Sequence, residues 1–569
     1  MKYFLNKIQS HHLVLIFILF IAFVLRVYHL DTVPLGFARD EASVGYNAYS
    51  ILKTGKDEYG RFMPLAFEAF GDWKLPLNIY FAVPFVAIFG LSVLAVRLSV
   101  AVFGVLSILI VYFLAEEFRK NFLKKATVWF SLISSMLLAV SPWHIYMSRT
   151  AFGHNVIALF FFMFGFYLFL RNIRYKKNLI IPILFFTSTL FIYTSYHLFL
   201  PLFLLGTGFV FRKELAKNYN IALLLLVFIL LFVFSQAIFW KANITKIPGS
   251  SITSDANLIY SRIERKQNEH LNNSIIVKAF HNKLLIYPYQ IAMNYLNAFS
   301  TQFLFNKGGE NLINNLEEMG NLYFLEAALI LFGFYYLIKQ NNATFLKLLL
   351  LWFFLSPLPG AFTKDAPHST RTFAMVGSLV FIEAYGIISV ILLRSKYFFK
   401  ALFFILMLGY LLGVLLFLEI YFVHFPVNRS RYWAYGYEKI ANLTRVYENH
   451  RVVFSKIFDS PYIFILFYNK YDPAKFHAEA IRGQTTWDGF KPVKKFGRFE
   501  FVEAFDWNHV WDNKETLFID AKETIPKNYP VTGWINYPLG DPAFGWFVNS
   551  GNPCRFYYPE KELVPLICR

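Results

Sequence analysis

Charge is scarce in this chain: only 16% of its residues are Asp, Glu, Lys or Arg, where a soluble domain carries about 25%. That shortfall excludes a cytosolic enzyme and a disordered chain, both of which rely on charge to stay in water. Cysteine is scarcer still, with Cys554 and Cys568 alone, which excludes a disulfide scaffold and a cysteine-built zinc site. In an oxidising compartment the two would close a loop of about 15 residues, a crosslink of roughly 3 kcal/mol. Two unpaired thiols fit the sequence equally well. There is no internal repeat and no low-complexity tract.

Apolar surface fills the chain instead. Hydrophobic residues make up 57% of it and aromatics 20%, with 68 Phe, and the mean hydropathy is +0.44. These values describe a polytopic α-helical membrane protein. The net charge of +19 would suit nucleic acid, but its distribution does not. Basic residues cluster in short gaps between apolar runs, at Arg119 to Lys125, Arg171 to Lys177, Arg212 to Lys217 and Arg394 to Lys400. That is the pattern of cytoplasmic loops. The partner is a lipid bilayer, and nucleic acid is not expected.

Apolar runs of spanning length fall at 12–28, 95–116, 127–146, 154–170, 178–194, 196–211, 220–239, 323–338, 346–360, 373–393 and 401–423, predicting about eleven helices. A cytoplasmic N-terminus, marked by Lys2 and Lys7, keeps every basic cluster inside. It places 29–94, 241–322, 361–372 and everything after about 424 outside. The short run from Leu77 to Gly90 holds Pro84 and reads as a re-entrant or interfacial helix, with a short true span the alternative, which would invert every later loop. The first helix lacks a cleavage site and reads as retained.

Residues 1–424 thus form a transmembrane module, with 29–94 as its first outer loop and 241–322 as a long outer loop of the kind that covers a substrate cleft. From 425 to 569 the apolar runs shorten to strand length, as in Arg451 to Ser455 and Thr516 to Asp520, between Gly, Pro and Asp turns. Tyr462 to Tyr468 reads as a helix. This is an extracytoplasmic soluble α/β domain large enough for its own core.

The first outer loop is the richest in chemistry. Asp40 and Glu41 stand side by side directly after a membrane helix, where carboxylates are costly to keep without a use. Helical spacing begins at Ala42, so the bland alternative makes Asp40 a helix cap with Glu41 in the first turn. Asp72 and Lys74 follow in the same loop. A carboxylate can deprotonate a hydroxyl nucleophile, and a lysine can neutralise a phosphate leaving group. Together they suit group transfer from a phosphorylated lipid, although composition alone does not single that reaction out.

At these residues the chain resembles the GT-C membrane glycosyltransferases. The resemblance is carried by the Asp40-Glu41 pair, Lys74-Leu75-Pro76 and Phe89-Gly90-x-Ser92-x-x-Ala95-x-Arg97, and further by Ser141-Pro142-Trp143-His144-Ile145-Tyr146-Met147-Ser148-Arg149 and Pro367-His368-Ser369-Thr370-Arg371. The branch it resembles most is that of the bacterial protein O-mannosyltransferases and aminoarabinose transferases. It implies a polyprenyl-phosphate sugar donor, inverting transfer, and an acceptor base in the first outer loop. By that resemblance Asp40 is the base, Glu41 its neighbour and Lys74 a donor-phosphate ligand. Many relatives have Lys-Pro-Pro where this chain has Lys-Leu-Pro. The acceptor stays open among protein, lipid and glycan.

Other polar residues at the outer ends of helices read two ways. Arg149 and Arg371 are candidates for the donor phosphate by the planar fork of guanidinium, against snorkelling to headgroups. Tyr193, His197 and His368 join Asp72 as candidate substrate contacts, against interfacial anchoring. His144 reads as a core hydrogen-bonding residue and Arg26 as snorkelling from the end of the first helix. His368 and Asp365 with Asp40 and Asp72 are the groups that would hold a divalent metal, and no spacing enforces one. The competing function is a transporter or lipid flippase without chemistry. The ionisable residues speak against it, since they gather at the outer mouth and seldom lie mid-helix. A sensor domain on a membrane anchor is a third reading, and eleven spans exceed what an anchor needs.

Overall fold

A computed structural model describes residues 10–70, 72–123, 127–253, 256–269, 275–339, 342–391, 398–455, 460–486, 491–507, 510, 513, 515–527, 529–548, 555–557 and 564–566. Cys554 and Cys568 lie outside them, as does the side chain of Asp72. The fold divides into two compact units. The first comprises 1–30, 75–78 and 97–422; the second comprises 31–74, 79–96 and 423–569. Residues 31–74 and 79–96 therefore fall in the same unit as 423–569.

Each of the eleven apolar runs lies on helix. Among the described residues, five helices are long and apolar enough to cross a membrane: Val93–Asn121, His154–Tyr175, Ile221–Trp240, Ala343–Ala361 and Phe404–Asn428. Trp129–Val140 and Pro142–Ser148, bent by 59° at Ser141, make a sixth if counted as one span. Ser10–Val27, Ile180–Phe191, Tyr196–Val210 and Met375–Val390 are shorter apolar helices, and so is Pro76–Phe89, which holds the run containing Pro84. The segment 241–322 is largely helical: Ile221–Ser250 continues into it, followed by Ala256–Asn268, Ile275–Phe280 and Lys283–Asn297.

Small residues set the tightest crossing of the first unit. A Cβ on Gly333 would stand 2.1 Å from the Ile382 carbonyl oxygen, and one on Gly386 would stand 2.7 Å from that of Leu329. Only glycine lets Phe324–Lys339 and Met375–Ile391 approach backbone to backbone. Aromatic edges pack the neighbouring layer, where Phe162 meets Phe199, Phe203 and Trp352 at centroid separations near 5 Å.

The bend at Ser141 explains Arg26. Pro142 has no N–H to return to Leu138, and the turn leaves the carbonyls of Leu138 and Ala139 without helical donors. Arg26 supplies them, donating to Ala139 O at 3.0 Å and Leu138 O at 3.2 Å, and bonding His144 Nδ1 at 2.8 Å. Its side chain is fully buried. The expected snorkelling is thus overturned: Arg26 points inward because the broken helix needs its donors. His144 is the core hydrogen-bonding residue its position predicted.

The second unit is built on a mixed seven-stranded sheet. We number strands in chain order: β1 Phe67–Ala69, β2 Asp72–Lys74, β3 Arg451–Ser455, β4 Ile481–Arg482, β5 Val493–Phe496, β6 Phe499–Val502, β7 Thr516–Ala521, β8 Gly533–Asn536 and β9 Pro542–Val548. The sheet order is β4-β5-β6-β3-β7-β9-β8. β3 runs parallel to both β6 and β7, and the outer pairings are antiparallel. All six residues of β7 are buried, as a central strand covered on both faces requires. Helix Pro461–Tyr468, the predicted one, is almost wholly buried.

Against that helix lies helix Arg39–Thr54, with ten buried residues. Gly45 permits the approach, since a Cβ there would meet the Phe467 ring at 2.5 Å. The chain leading in is pinned as well. Phe37 N donates to Trp433 O at 2.7 Å, and Gly36, at φ +106°, leaves no room for a side chain against that carbonyl.

Candidate active site

Helix Arg39–Thr54 begins at Ala38, whose backbone N–H donates to Glu41 Oε2 at 3.2 Å in a capping-box reach-back. Ala38 is therefore the cap, and the reading of Asp40 as cap is corrected. Glu41 is fully buried, so its carboxylate serves the helix start while Asp40 keeps a solvent-facing position with 44% of its side chain exposed. Two acids in the first turn also answer the positive end of the helix dipole.

β1 and β2 form a hairpin that delivers Lys74 to the same place. Lys74 pairs with Phe67 in the register, and Glu68 with Trp73. Lys74 Nζ stands 2.5 Å from Asp40 Oδ1. A partly exposed pair of this kind is worth about 0–1 kcal/mol, too little to explain it by stability. Its chemistry is more telling: an accessible carboxylate beside an ammonium whose exposure is only 17%. A ligand phosphate that drew Lys74 away would leave Asp40 a stronger base.

Apart from Asp72, at the start of β2, the remaining candidates lie in the first unit. Arg371 pairs with Asp365, and His368 Nδ1 accepts from Thr370 N at 3.2 Å. That bond puts the imidazole proton on Nε2, which faces Asp365 Oδ2 at 3.4 Å. Burial, together with Arg371, holds His368 well below its usual pKa, so the contact joins a neutral ring to a carboxylate. Burial raises Asp365, but Arg371 and His368 outweigh it and keep the group below the ordinary carboxylate range. Tyr193 donates to Thr370 Oγ1 at 3.0 Å. Tyr193, Thr370 and Arg371 line a small pocket with Asn155, Ser195 and Tyr196.

Arg149 is fully buried and spends its guanidinium on protein. It donates to the carbonyls of Leu25 at 3.0 Å, Tyr28 at 2.7 Å and His29 at 3.3 Å, and to the Tyr421 hydroxyl at 3.2 Å. These are the orphan carbonyls at the end of Ser10–Val27 and just beyond, so Arg149 caps that helix from outside. His197 bonds the Leu190 carbonyl at 2.8 Å. The two motif segments dock on each other, with Trp143 Nε1 donating to Ser369 O at 3.0 Å. Among the described residues no three His, Cys, Asp or Glu side chains converge as metal ligands would.

Sequence reasoning passed over one group. Asp57, Glu58, Tyr59, Arg61 and Glu68 gather with Tyr462, His477 and Arg482, all in the second unit. The Asp57-Glu58 dipeptide was the only local signal, and Arg482 lies too far along the chain to be linked to it.

No protein-family model matches the sequence, and no curated protein matches it. Solved structures do. The fold is similar to that of ArnT from Cupriavidus metallidurans in the apo state, at a TM-score of 0.51 and 12% identity over 95% of this chain and 99% of that one. The same ArnT bound to undecaprenyl phosphate aligns at 0.49, also with 12% identity and 95% and 99% coverage. An Archaeoglobus fulgidus oligosaccharyltransferase tethered to an acceptor peptide aligns at 0.45 and 15% identity over 81% of this chain, which spans 63% of that protein's length.

Proposed function

We propose that this protein is a multi-pass plasma-membrane glycosyltransferase that moves a sugar from a polyprenyl-phosphate donor to an acceptor hydroxyl on the outer face. The observation that carries the reading is the Asp40–Lys74 pair at 2.5 Å, set at the start of a buried helix in a fold shared with ArnT. Eleven spans, with the N-terminus inside and the C-terminal domain outside, complete the topology and agree with the basic loops.

Donor binding brings a phosphate to Lys74 and separates it from Asp40. Asp40 then takes the acceptor hydroxyl proton as the acceptor oxygen bonds the anomeric carbon. The bond from that carbon to the phosphate oxygen breaks with its electron pair, releasing polyprenyl phosphate. Lys74 neutralises the charge that develops there. One displacement inverts the anomeric centre. Arg371 is the second candidate for the phosphate, with Asp365 holding its guanidinium until donor arrives. Tyr193, His368 and Asp72 are substrate contacts in this reading, and Arg149 positions the end of the first helix.

The test supplies a panel of polyprenyl-phosphate sugars to the protein in nanodiscs, with acceptor extract, and follows free polyprenyl phosphate by mass spectrometry. The expected result is release that Asp40→Asn lowers by about 10²–10⁴, the usual worth of a general base. Release unaffected by Asp40→Asn in folded protein removes Asp40 from that role.

A further inference from the structure

The polar group around Glu58 has no part in the transfer chemistry, yet it is expensive to maintain. Asp57 Oδ2, Glu58 Oε2, the Tyr59 hydroxyl, Arg61 Nη1 and Arg482 Nη1 are all buried without a hydrogen-bond partner. Each such atom gives up the hydrogen bonds it makes in water. A fold that keeps them together uses these side chains for something other than their hydrogen bonds.

Their aromatic and ionic contacts show what that is. Arg482 sits on β4 at the end of the sheet order, with its guanidinium 3.7 Å from the Tyr59 ring centroid and Nη2 bonded to Glu58 O at 3.2 Å. Arg61 lies 5.1 Å from the same ring and 4.7 Å from that of Trp73. It also pairs with Glu68 at 2.5 Å. Glu68 and Trp73 face each other in the β1–β2 hairpin, one residue before the position of Lys74. A continuous stack therefore runs from the C-terminal sheet through Arg482, Tyr59 and Arg61 to the strand that presents Lys74 to Asp40. Guanidinium is attracted to an aromatic face, the more so when desolvated, and its planar geometry fixes orientation as well as distance.

We propose that Arg482, Tyr59 and Arg61 are positioning residues, through which the C-terminal sheet sets Lys74 against Asp40. The proposal rests on the reading of Asp40 and Lys74 as the transfer site. It assigns the C-terminal domain a part in catalysis that requires no contact with either substrate. Tyr59 acts by its ring, since its hydroxyl has no partner.

The experiment is a double-mutant cycle on full-length protein in nanodiscs, with the donor that the wild type cleaves. Tyr59→Phe keeps the ring and should stay within about twofold of wild-type kcat, while Tyr59→Leu and Arg482→Met should lose roughly tenfold or more, a scale that small misplacements reach. In a Lys74→Ala background Tyr59→Leu should cost nothing further, because the group it positions is gone. An equal loss in both backgrounds overturns the proposal and leaves the site reading intact. Wild-type transfer by Lys74→Ala overturns the site reading, and the proposal with it. Where Lys74→Ala has no measurable rate, acetic anhydride labelling of Lys74, read by peptide mass spectrometry, replaces the cycle. Labelling should quicken in Tyr59→Leu and not in Tyr59→Phe; equal rates overturn the proposal. Should Tyr59→Leu fail to fold, Arg482→Lys, which keeps the charge and loses the plane, carries the same comparisons.

Discussion

Lys74 and Asp40 were legible because charge is rare here and both stand between the same two apolar runs. Their roles are less equal than their spacing suggested. Glu41 looked like a second catalytic carboxylate, but its side chain turns back to the Ala38 N–H; only cap geometry separates the two acids, and composition cannot show it. Lys74 offers a prediction at this scale. Lys74→Met should lower donor cleavage by roughly 10²–10³, as loss of one preorganised charge at a leaving group does, and it should do so with little change in unfolding midpoint, because the pair is worth about 1 kcal/mol or less. A large stability loss with unchanged turnover would make the pair structural.

Glu58 allows a second prediction. Burial pushes its pKa up to about 7 from the ordinary 4.5, against the opposing pull of Arg482. The folded state then holds a proton that the unfolded state has released, so this group's contribution to stability falls as pH rises from about 4.5 to 7 and is level above that. Glu58→Gln should remove that share of the slope, on the order of 3 kcal/mol between the two limits. Unfolding of wild type and variant at pH 5, 6, 7 and 8 checks it. Parallel curves would place Glu58 elsewhere than in this buried group.

At the scale of elements, the apolar runs gave the helices because length and hydropathy are local properties, and all eleven fall on helix. What the runs could not carry was the price of ending or breaking one. Arg26 reads as a snorkelling residue until Pro142 strips two carbonyls of their donors and the arginine turns inward. The helices within 241–322 escaped notice because polar residues interrupt the apolar pattern there. Crossings are a matter of elements too. Gly333→Leu would drive a Cβ to 2.1 Å from the Ile382 carbonyl, and backbone cannot yield as a side chain does, so Phe324–Lys339 and Met375–Ile391 must part. A loss of about 3 kcal/mol is expected, at the upper end for overpacking. Gly208→Leu, with nothing within 4 Å of its Cβ, is the control and should leave the unfolding midpoint in detergent unchanged. Equal effects of the two would mean that the close crossing is not what Gly333 serves.

For the whole molecule, the strands β3 and β7 could be read from their apolar runs, but not the order that places β3 between β6 and β7, since those pairings join residues some 45–65 positions apart. The composition shift near 425 gave no sign that 31–74 and 79–96 fold in one unit with 423–569. The partnership is built from contacts between distant residues: Phe37 on Trp433, Gly45 against Phe467, Tyr462 bonded to Glu58. It leads to the last prediction. A chain stopped after 424 keeps Asp40 and Lys74 in its sequence but loses the surface on which helix Arg39–Thr54 buries ten residues. Exposing that face forfeits about 25 cal/mol for each Å² of apolar area, and a helix of 16 residues is marginal in water by itself. The truncated protein should therefore insert in membranes, be cut by protease within residues 39–74 where the full chain resists, and show no Asp40-dependent release of polyprenyl phosphate. Limited proteolysis with peptide mass spectrometry, alongside the donor-cleavage assay, reads both. Protection of 39–74 together with retained release would show that the bundle alone can hold the catalytic loop, and would make the C-terminal domain an addition to the site instead of its scaffold.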